Sequence, residues 1–195
     1  MLPGIDVSHY QGVIDWSKVK AAGIQFAYLK ATQGASYSDP LLKANVDGAN
    51  AAGIPFGLYH VFLGLAGSDQ VANFIAAVQT FNPSLPMWFD IEPGSVTDAT
   101  NAEMQAVIQC LAGELGQVVI YCSPSIADQW LDDSDYAVYP LAIAHYDVPQ
   151  PRIPKPWTTW QFWQHSCTGT VDGISTSVDL DWFNGDDLGL ILKGT

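Results

Sequence analysis

Asp90 and Glu92 sit two residues apart in the run MWFDIEP, alternating with Met87, Phe89 and Ile91. A strand turns successive side chains to opposite faces, so this spacing predicts one apolar face and one face carrying two acids. Two carboxyl groups about 7 Å apart along a strand suit hydrolysis of a glycosidic bond. One of them, repelled by its neighbour or partly desolvated, keeps its proton near neutral pH and protonates the leaving oxygen. The other stays ionised against the positive charge that develops. Alternating acids also occur on solvated strand faces; the strongly apolar setting is what distinguishes this pair. Pro93 and Gly94 end the strand directly after it, as a loop at a catalytic face requires.

Three further acids have the same character. Asp6 in GIDVSHYQG follows an apolar start, where capping of an N-terminal turn is the competing explanation. Asp179 and Asp181 in SVDLDWF are again two apart, with Val178, Leu180 and Trp182 on the other face. Acids at the ends of the first, fourth and last strands converge on one mouth if those strands close a barrel. Aromatic and polar residues gather at the same strand ends: Tyr28, Tyr59, His60, Tyr121, His145, Tyr146, Trp160, Trp163 and Gln164. Sugars present apolar ring faces and hydroxyl edges, so aromatics beside hydrogen-bonding groups make a glycan cleft, although part of this set serves the core.

Other chemistries are poorly supported. There is no Gly-x-Ser-x-Gly elbow, and Ser8 beside His9 does not make a triad. A glycine-rich phosphate loop is missing as well. The four histidines lack His-x-x-x-His spacing, and Cys110, Cys122 and Cys167 contain no Cys-x-x-Cys pair, so neither a metal nor a cofactor is expected. The cysteines are expected to be buried or free thiols, with a Cys110–Cys122 bridge left open. Seven Lys and Arg against twenty Asp and Glu give a formal net charge of −13, which opposes nucleic acid and anionic membrane surfaces as partners. No apolar run reaches the roughly 18 residues of a spanning helix, and MLPGIDVSHYQG lacks the basic and then apolar segments of a signal peptide.

The elements that must position these residues alternate along the chain. Strands are predicted at GIDVS, IQFAYLKAT, IPFGLYHVF, LPMWFDIEP, QVVIYCS, YPLAIAHY, WQFWQH and SVDLDWF. Helices are predicted at Trp16 to Ala22, Pro40 to Ala52, Asp69 to Thr80, Asn101 to Leu115 and Ser125 to Leu131, with Gly23, Gly53 and Gly116 closing three of them. Strands alternating with helices indicate βα units around a mainly parallel sheet, and more strands than helices indicate an incomplete α/β barrel. The proline-rich stretch from Asp147 to Pro156 reads as an internal loop, with hairpins joining the last strands. With 195 residues, 48% of them apolar, a single domain over 1–195 is expected. In a barrel Met87, Phe89 and Ile91 pack under the helices, while Asp90 and Glu92 face inward at the carboxyl end, where barrel active sites lie.

In order and spacing, GIDVSHYQGVIDW, FAYLKATQG, the YH of GLYHVF, WFDIEP, IAHY, WQFWQHS and VDLDWF resemble the family 25 glycoside hydrolases, the Chalaropsis-type muramidases common among phage endolysins. The resemblance spans nearly the whole chain and implies an irregular TIM-like (β/α) barrel with eight strands and fewer helices. It assigns the family's acid to Glu92, its neighbouring aspartate to Asp90, the first-strand aspartate to Asp6 and the last-strand aspartate to Asp179. Asp181 then stands where the family often has asparagine. With Lys30 of the KATQG segment added, the expected glycan-binding set is Tyr28, Lys30, Tyr59, Tyr121, His145, Trp163 and Gln164. Two positions depart from the pattern: Gln33 replaces a usual glutamate at the cleft rim, and Ala142 replaces a common tryptophan at a sugar subsite.

The resemblance further implies cleavage of the β-1,4 bond between N-acetylmuramic acid and N-acetylglucosamine in peptidoglycan, with retention. The substrate's own acetamido group, oriented by Asp90 or Asp179, is the favoured nucleophile over a carboxylate. A catalytically silent glycan-binding barrel and a chitin-active glycosidase are the alternatives. The expected partner is the peptidoglycan glycan strand, bound by a monomer that carries no separate wall-binding module. The expected place of action is the bacterial wall, reached as a phage lysin released from the host cytoplasm or, alternatively, by secretion.

Overall fold

Each predicted apolar run forms a strand in the computed structural model, which describes residues 1–64 and 67–192. In chain order the elements are β1 (Leu2–Val7), α1 (Trp16–Ala21), β2 (Phe26–Gln33), β3 (Tyr37–Ser38), α2 (Leu42–Ala52), β4 (Phe56–Val61), α3 (Gly67–Phe81) and β5 (Met87–Ile91). They continue with α4 (Asn101–Leu115), β6 (Val118–Cys122), α5 (Pro124–Trp130), β7 (Leu141–Ala144), β8 (Phe162–Gly169) and β9 (Val178–Phe183). Local signals place the helix ends. The Asp15 carboxylate accepts from the Lys18 N–H at 3.2 Å to start α1, and Ser123 followed by Pro124 starts α5. Gly53 takes φ +65° after α2, a left-handed conformation that glycine adopts without a Cβ penalty.

The strands pair in the order β1-β9-β8-β7-β6-β5-β4-β2, and pairing of β1 with β2 closes the ring into an eight-stranded barrel, with β3 added at an edge of β2. All barrel pairs are parallel except those of β9, which runs antiparallel to both β8 and β1. The five helices all fall between β1 and β7, so the last strands are joined without a helix, as the proline-rich segment predicts. The short β3 has no sequence signal strong enough to predict it.

Period 2 builds two cores. Ile5, Val7, Met87, Phe89, Ile91, Val178 and Ile143 face outward and pack under the helices with Val46, Phe74, Val107 and Leu111. Phe26, Tyr28, Trp88, Val119, Ala142, Phe162 and Phe183 face inward and fill the barrel. The ring of Phe26 occupies the space that a Cβ at Gly4 would need, so glycine there admits the interior aromatic layer. Tyr28 and Trp88 stack with centroids 3.7 Å apart, and Phe162 meets both edge-on. This plug is the floor on which the upper side chains stand.

No cysteine is bridged: Cys110 and Cys167 are exposed, and Cys122 is buried in the outer core. Burial pushes the Cys122 thiol well above the ordinary range, so it is neither accessible nor ionised. Titration of the folded protein with a thiol reagent is expected to modify Cys110 and Cys167 rapidly and Cys122 only on unfolding. Fast reaction of all three would contradict this packing.

Candidate active site

The carboxyl ends of β1, β2, β4, β5 and β6 open on one side of the barrel, and the start of the reversed β9 joins them there. A cleft of about 400 Å³ lies at this mouth, lined by Asp6, Lys30, Gln33, Tyr59, Trp88, Asp90, Glu92, Tyr121, Tyr146, Gln164 and Asp179, among others. Four acids from three distant stretches of the chain thus share one cavity. Alternation accounts for each of them. On β5 the inward set is Trp88 and Asp90, with Glu92 just past the strand end; on β9 it is Asp179, Asp181 and Phe183. Because β9 runs the other way, Asp179 is at the mouth while Asp181 lies one layer deeper, opposite Gly4 and Gln164.

The acids differ in setting. Glu92 is exposed at the mouth, whereas Asp6, Asp90 and Asp181 are buried. Burial, and then the negative charge of Glu92, hold the Asp90 carboxyl well above the usual carboxylate range, with Lys30 pulling the other way. The Asp90 Oδ1 atom has no hydrogen-bond partner among the described residues. Gln164 links the two sides of the cleft: its Nε2 donates to Asp6 at 2.6 Å, and its Oε1 accepts from the hydroxyls of Tyr121, at 2.7 Å, and Tyr146. The Tyr121 hydroxyl thereby stands above Trp88, whose ring lies 5.6 Å from its own.

Three of the expected glycan contacts do not line this cleft. Tyr28 points inward but sits a layer too low, fully buried against Trp88. Trp163 follows inward-facing Phe162 and therefore faces outward, where its Nε1 donates to the His145 carbonyl at 2.8 Å. His145 follows Ala144, which shares the inward parity of Ala142 on β7, and turns away, its Nδ1 accepting from the Arg152 N–H at 3.0 Å. The histidine after Tyr59 behaves likewise: His60 bonds Thr32 at 2.7 Å and packs on Phe74 and Phe89, and burial lowers its pKa to about 4.

Other residues reach the cleft only because strands break register. A bulge between Lys30 and Thr32 resets the parity of β2, turning Thr32 outward to His60 and bringing Gln33 to the mouth, where it accepts from the Lys30 ammonium at 2.8 Å. Register shifts in β8 between Gln164 and Gly169 accompany the appearance of Cys167 in the lining. Tyr10 arrives by a different route, from the turn after β1, where Ser8 and Gln11 cap a single helical turn. No periodicity rule would have found Gln33, Cys167 or Tyr10.

Under the cleft, Asp6 lies between Asp179 and Asp181, and burial raises the pKa of all three, with mutual repulsion adding to it for Asp6 and Asp181. Asp181 is 1% exposed, and its contact with the Asp6 carboxyl offsets only part of the effect of burial. A carboxyl raised in this way is protonated more readily in the folded than in the unfolded chain. Its contribution to stability is complete below the unfolded pKa near 4 and is lost as pH rises towards the folded value. Asp181→Asn removes the titrating group at equal size. The variant is expected to melt above the parent at pH 7, with the gap closing as pH approaches 4. Calorimetry at the two pH values checks this, and a pH-independent difference would refute it. Among the described residues, no group of His, Cys, Asp and Glu has the arrangement to hold a metal ion.

Comparison with known proteins yields the same architecture and the same chain-long pattern. The model of the glycosyl hydrolases family 25 matches residues 5–174. The chain is 38% identical over 200 residues to Lysozyme M1 of Streptomyces globisporus, covering 93% of this chain and 67% of that protein. It is 30% identical over 196 residues to the autolytic lysozyme of Clostridium acetobutylicum, covering all of this chain but 58% of that one. The crystal structure of a bacterial lysozyme from Streptomyces coelicolor superposes with a TM-score of 0.87 at 36% identity, covering 97% of this chain and 94% of the other. A closed barrel with one reversed strand, acids converging at its mouth and a family match over most of its length therefore give one answer: the chain belongs to the glycosyl hydrolases of family 25.

Proposed function

We propose that this chain is a muramidase that hydrolyses the β-1,4 bond between N-acetylmuramic acid and N-acetylglucosamine in bacterial peptidoglycan, with retention of anomeric configuration. The observation that carries this reading is the single cleft into which Asp6, Asp90, Glu92 and Asp179 open beside Tyr59 and Tyr121. Glu92, at the exposed mouth, gives its proton to the glycosidic oxygen as the bond to the anomeric carbon breaks. Asp90 and Glu92 leave the same strand on the same side, so neither attacks from the opposite face of the sugar. The 2-acetamido oxygen of the substrate forms the new bond to that carbon instead, and the unpartnered Asp90 Oδ1 accepts the acetamido N–H. Asp179, directly opposite Asp6 in the β1–β9 pair, stabilises the positive charge from the β9 side. Water then attacks the anomeric carbon while Glu92 takes back a proton, and two inversions give retention.

Mass spectrometry of digested peptidoglycan tests activity, bond choice and reducing end together. New reducing ends on N-acetylmuramic acid are expected, with NMR showing the β-anomer first. Wall binding without new reducing ends would indicate a silent glycan-binding barrel, and cleavage of chitin oligomers but not of peptidoglycan would change the substrate.

A further inference from the structure

A second cavity of about 400 Å³ adjoins the catalytic cleft at the β2–β3 rim, and Tyr10, Lys30 and Gln33 line both. The two differ in charge. Four carboxyl groups line the cleft, but no Asp or Glu lines the second cavity, whose other walls are His9, the turn from Gly34 to Tyr37 and Leu63. Lys30 stands at the neck between them. Its ammonium donates to the neutral Gln33 amide at 2.8 Å, lies 5.8 Å from the centre of the Tyr37 ring and, among the described residues, has no carboxylate within 4 Å. By contrast, Lys18, Lys43 and Arg152 are each paired with an acid, and Lys20 and Lys155, which like Lys30 form no ion pair among the described residues, line neither cavity. The one acid behind this wall, Asp39, is buried and already engaged by His9 at 2.8 Å.

In a chain of net charge −13, a carboxylate-bearing ligand is repelled everywhere except where a cation is left unneutralised. The cavity beyond Lys30 also offers apolar and aromatic surface that faces solvent, with Tyr10 73%, Tyr37 38% and Leu63 43% exposed. A muramyl unit differs from N-acetylglucosamine by a lactyl ether that carries a carboxyl group and, in the wall, a peptide with further carboxylates. We infer that this second cavity receives the lactyl-peptide arm of the muramyl unit and that Lys30 binds a carboxylate on it, making Lys30 a specificity-determining residue. The inference rests on the muramidase reading. It gives that reading a physical basis for choosing peptidoglycan over chitin, whose sugars carry no carboxylate.

The test compares kcat/KM on paired substrates: peptide-bearing glycan strands with free or amidated carboxyls, and strands stripped of peptide with the lactyl carboxyl free or amidated. The parent enzyme is expected to prefer the free acid by about ten- to hundredfold, the scale of one hydrogen bond to a charged group, in at least one pair. A preference in the stripped pair places the lactyl carboxylate at Lys30, and a preference confined to the peptide-bearing pair places a peptide carboxylate there. Lys30→Met is expected to abolish the preference. Lys30 also acts on Asp90, so the variant will lose activity on every substrate, and only the ratio within each pair decides. Gln33→Glu, which pairs the ammonium internally, is the second variant and is expected to weaken the same ratio. Equal parent rates on acid and amide forms in both pairs, or a ratio untouched by Lys30→Met, would overturn the inference and leave the muramidase reading standing. Absence of new reducing ends from all four substrates would overturn both.

Discussion

Glu92→Gln is expected to slow release of reducing ends from peptidoglycan by about 10² to 10⁴-fold, the usual scale of general acid catalysis. The amide keeps the shape of the side chain and removes only the transferable proton. Glu92 lies outside β5, is exposed and forms no ion pair among the described residues, so the substitution leaves the fold intact. Unchanged melting together with lost turnover therefore separates the chemistry from stability. Substrates with better leaving groups need less protonation, so an aryl glycoside should lose less than the wall polymer does. Clearance of wall suspensions by Glu92→Gln at the parent rate would sink the assignment and move the proton donor to another acid of the cleft.

Trp88→Ala should produce the largest loss of stability from a single site-forming residue. Its ring is 2% exposed, stacks on Tyr28 at 3.7 Å, meets Phe162 edge-on at 5.4 Å and carries Tyr121 above it. A close-packed barrel interior cannot collapse around the missing indole, because the backbone ring of strands is fixed by hydrogen bonds. A cost of about 3–5 kcal/mol follows, which for a chain of this length lowers Tm by roughly 6–20 °C. Trp160→Ala, at a half-buried position on the outside, is the control and should cost much less. Calorimetry of the two variants decides the matter, and a Trp88→Ala shift no larger than that of Trp160→Ala would mean that the interior aromatic plug is not what supports the cleft. Loss of the floor should also raise KM, since Tyr121, which holds Gln164 by a hydrogen bond, loses the ring it stacks on.

Much of the fold is legible before any coordinates. The apolar runs of the parallel strands, the cap at Asp15 and the stops at Gly53 and Gly116 are local signals, and the helix Asn101 to Leu115 has the ends predicted for it, whereas α5 starts at Pro124 behind a Ser123 cap and not at the predicted Ser125. The cleft acids are legible for the same reason: on β5 and β9 an unbroken period of 2 separates inward from outward residues, and Asp90 and Asp179 fall on the inward set. The expected glycan contacts fare less well. Presence at a strand end says that a residue is near the mouth, whereas parity and depth decide whether it enters the cleft. Trp163 and His145 fail on parity and Tyr28 on depth.

What the sequence determines by itself is therefore the eight barrel strands, the two faces of each as far as its period is unbroken and the acids able to do glycosidic chemistry, because these follow from spacing along the backbone. What the tertiary structure alone decides is how the faces are stacked in depth and where their period breaks. The reversal of β9 puts Asp179 at the mouth and buries Asp181 beneath it. The bulge in β2 brings Gln33 up beside Lys30 and joins the second cavity to the first. Strand direction and register are set by closing the whole ring, in which each of the eight strands must pair with two neighbours at once, and no local stretch of sequence contains that constraint.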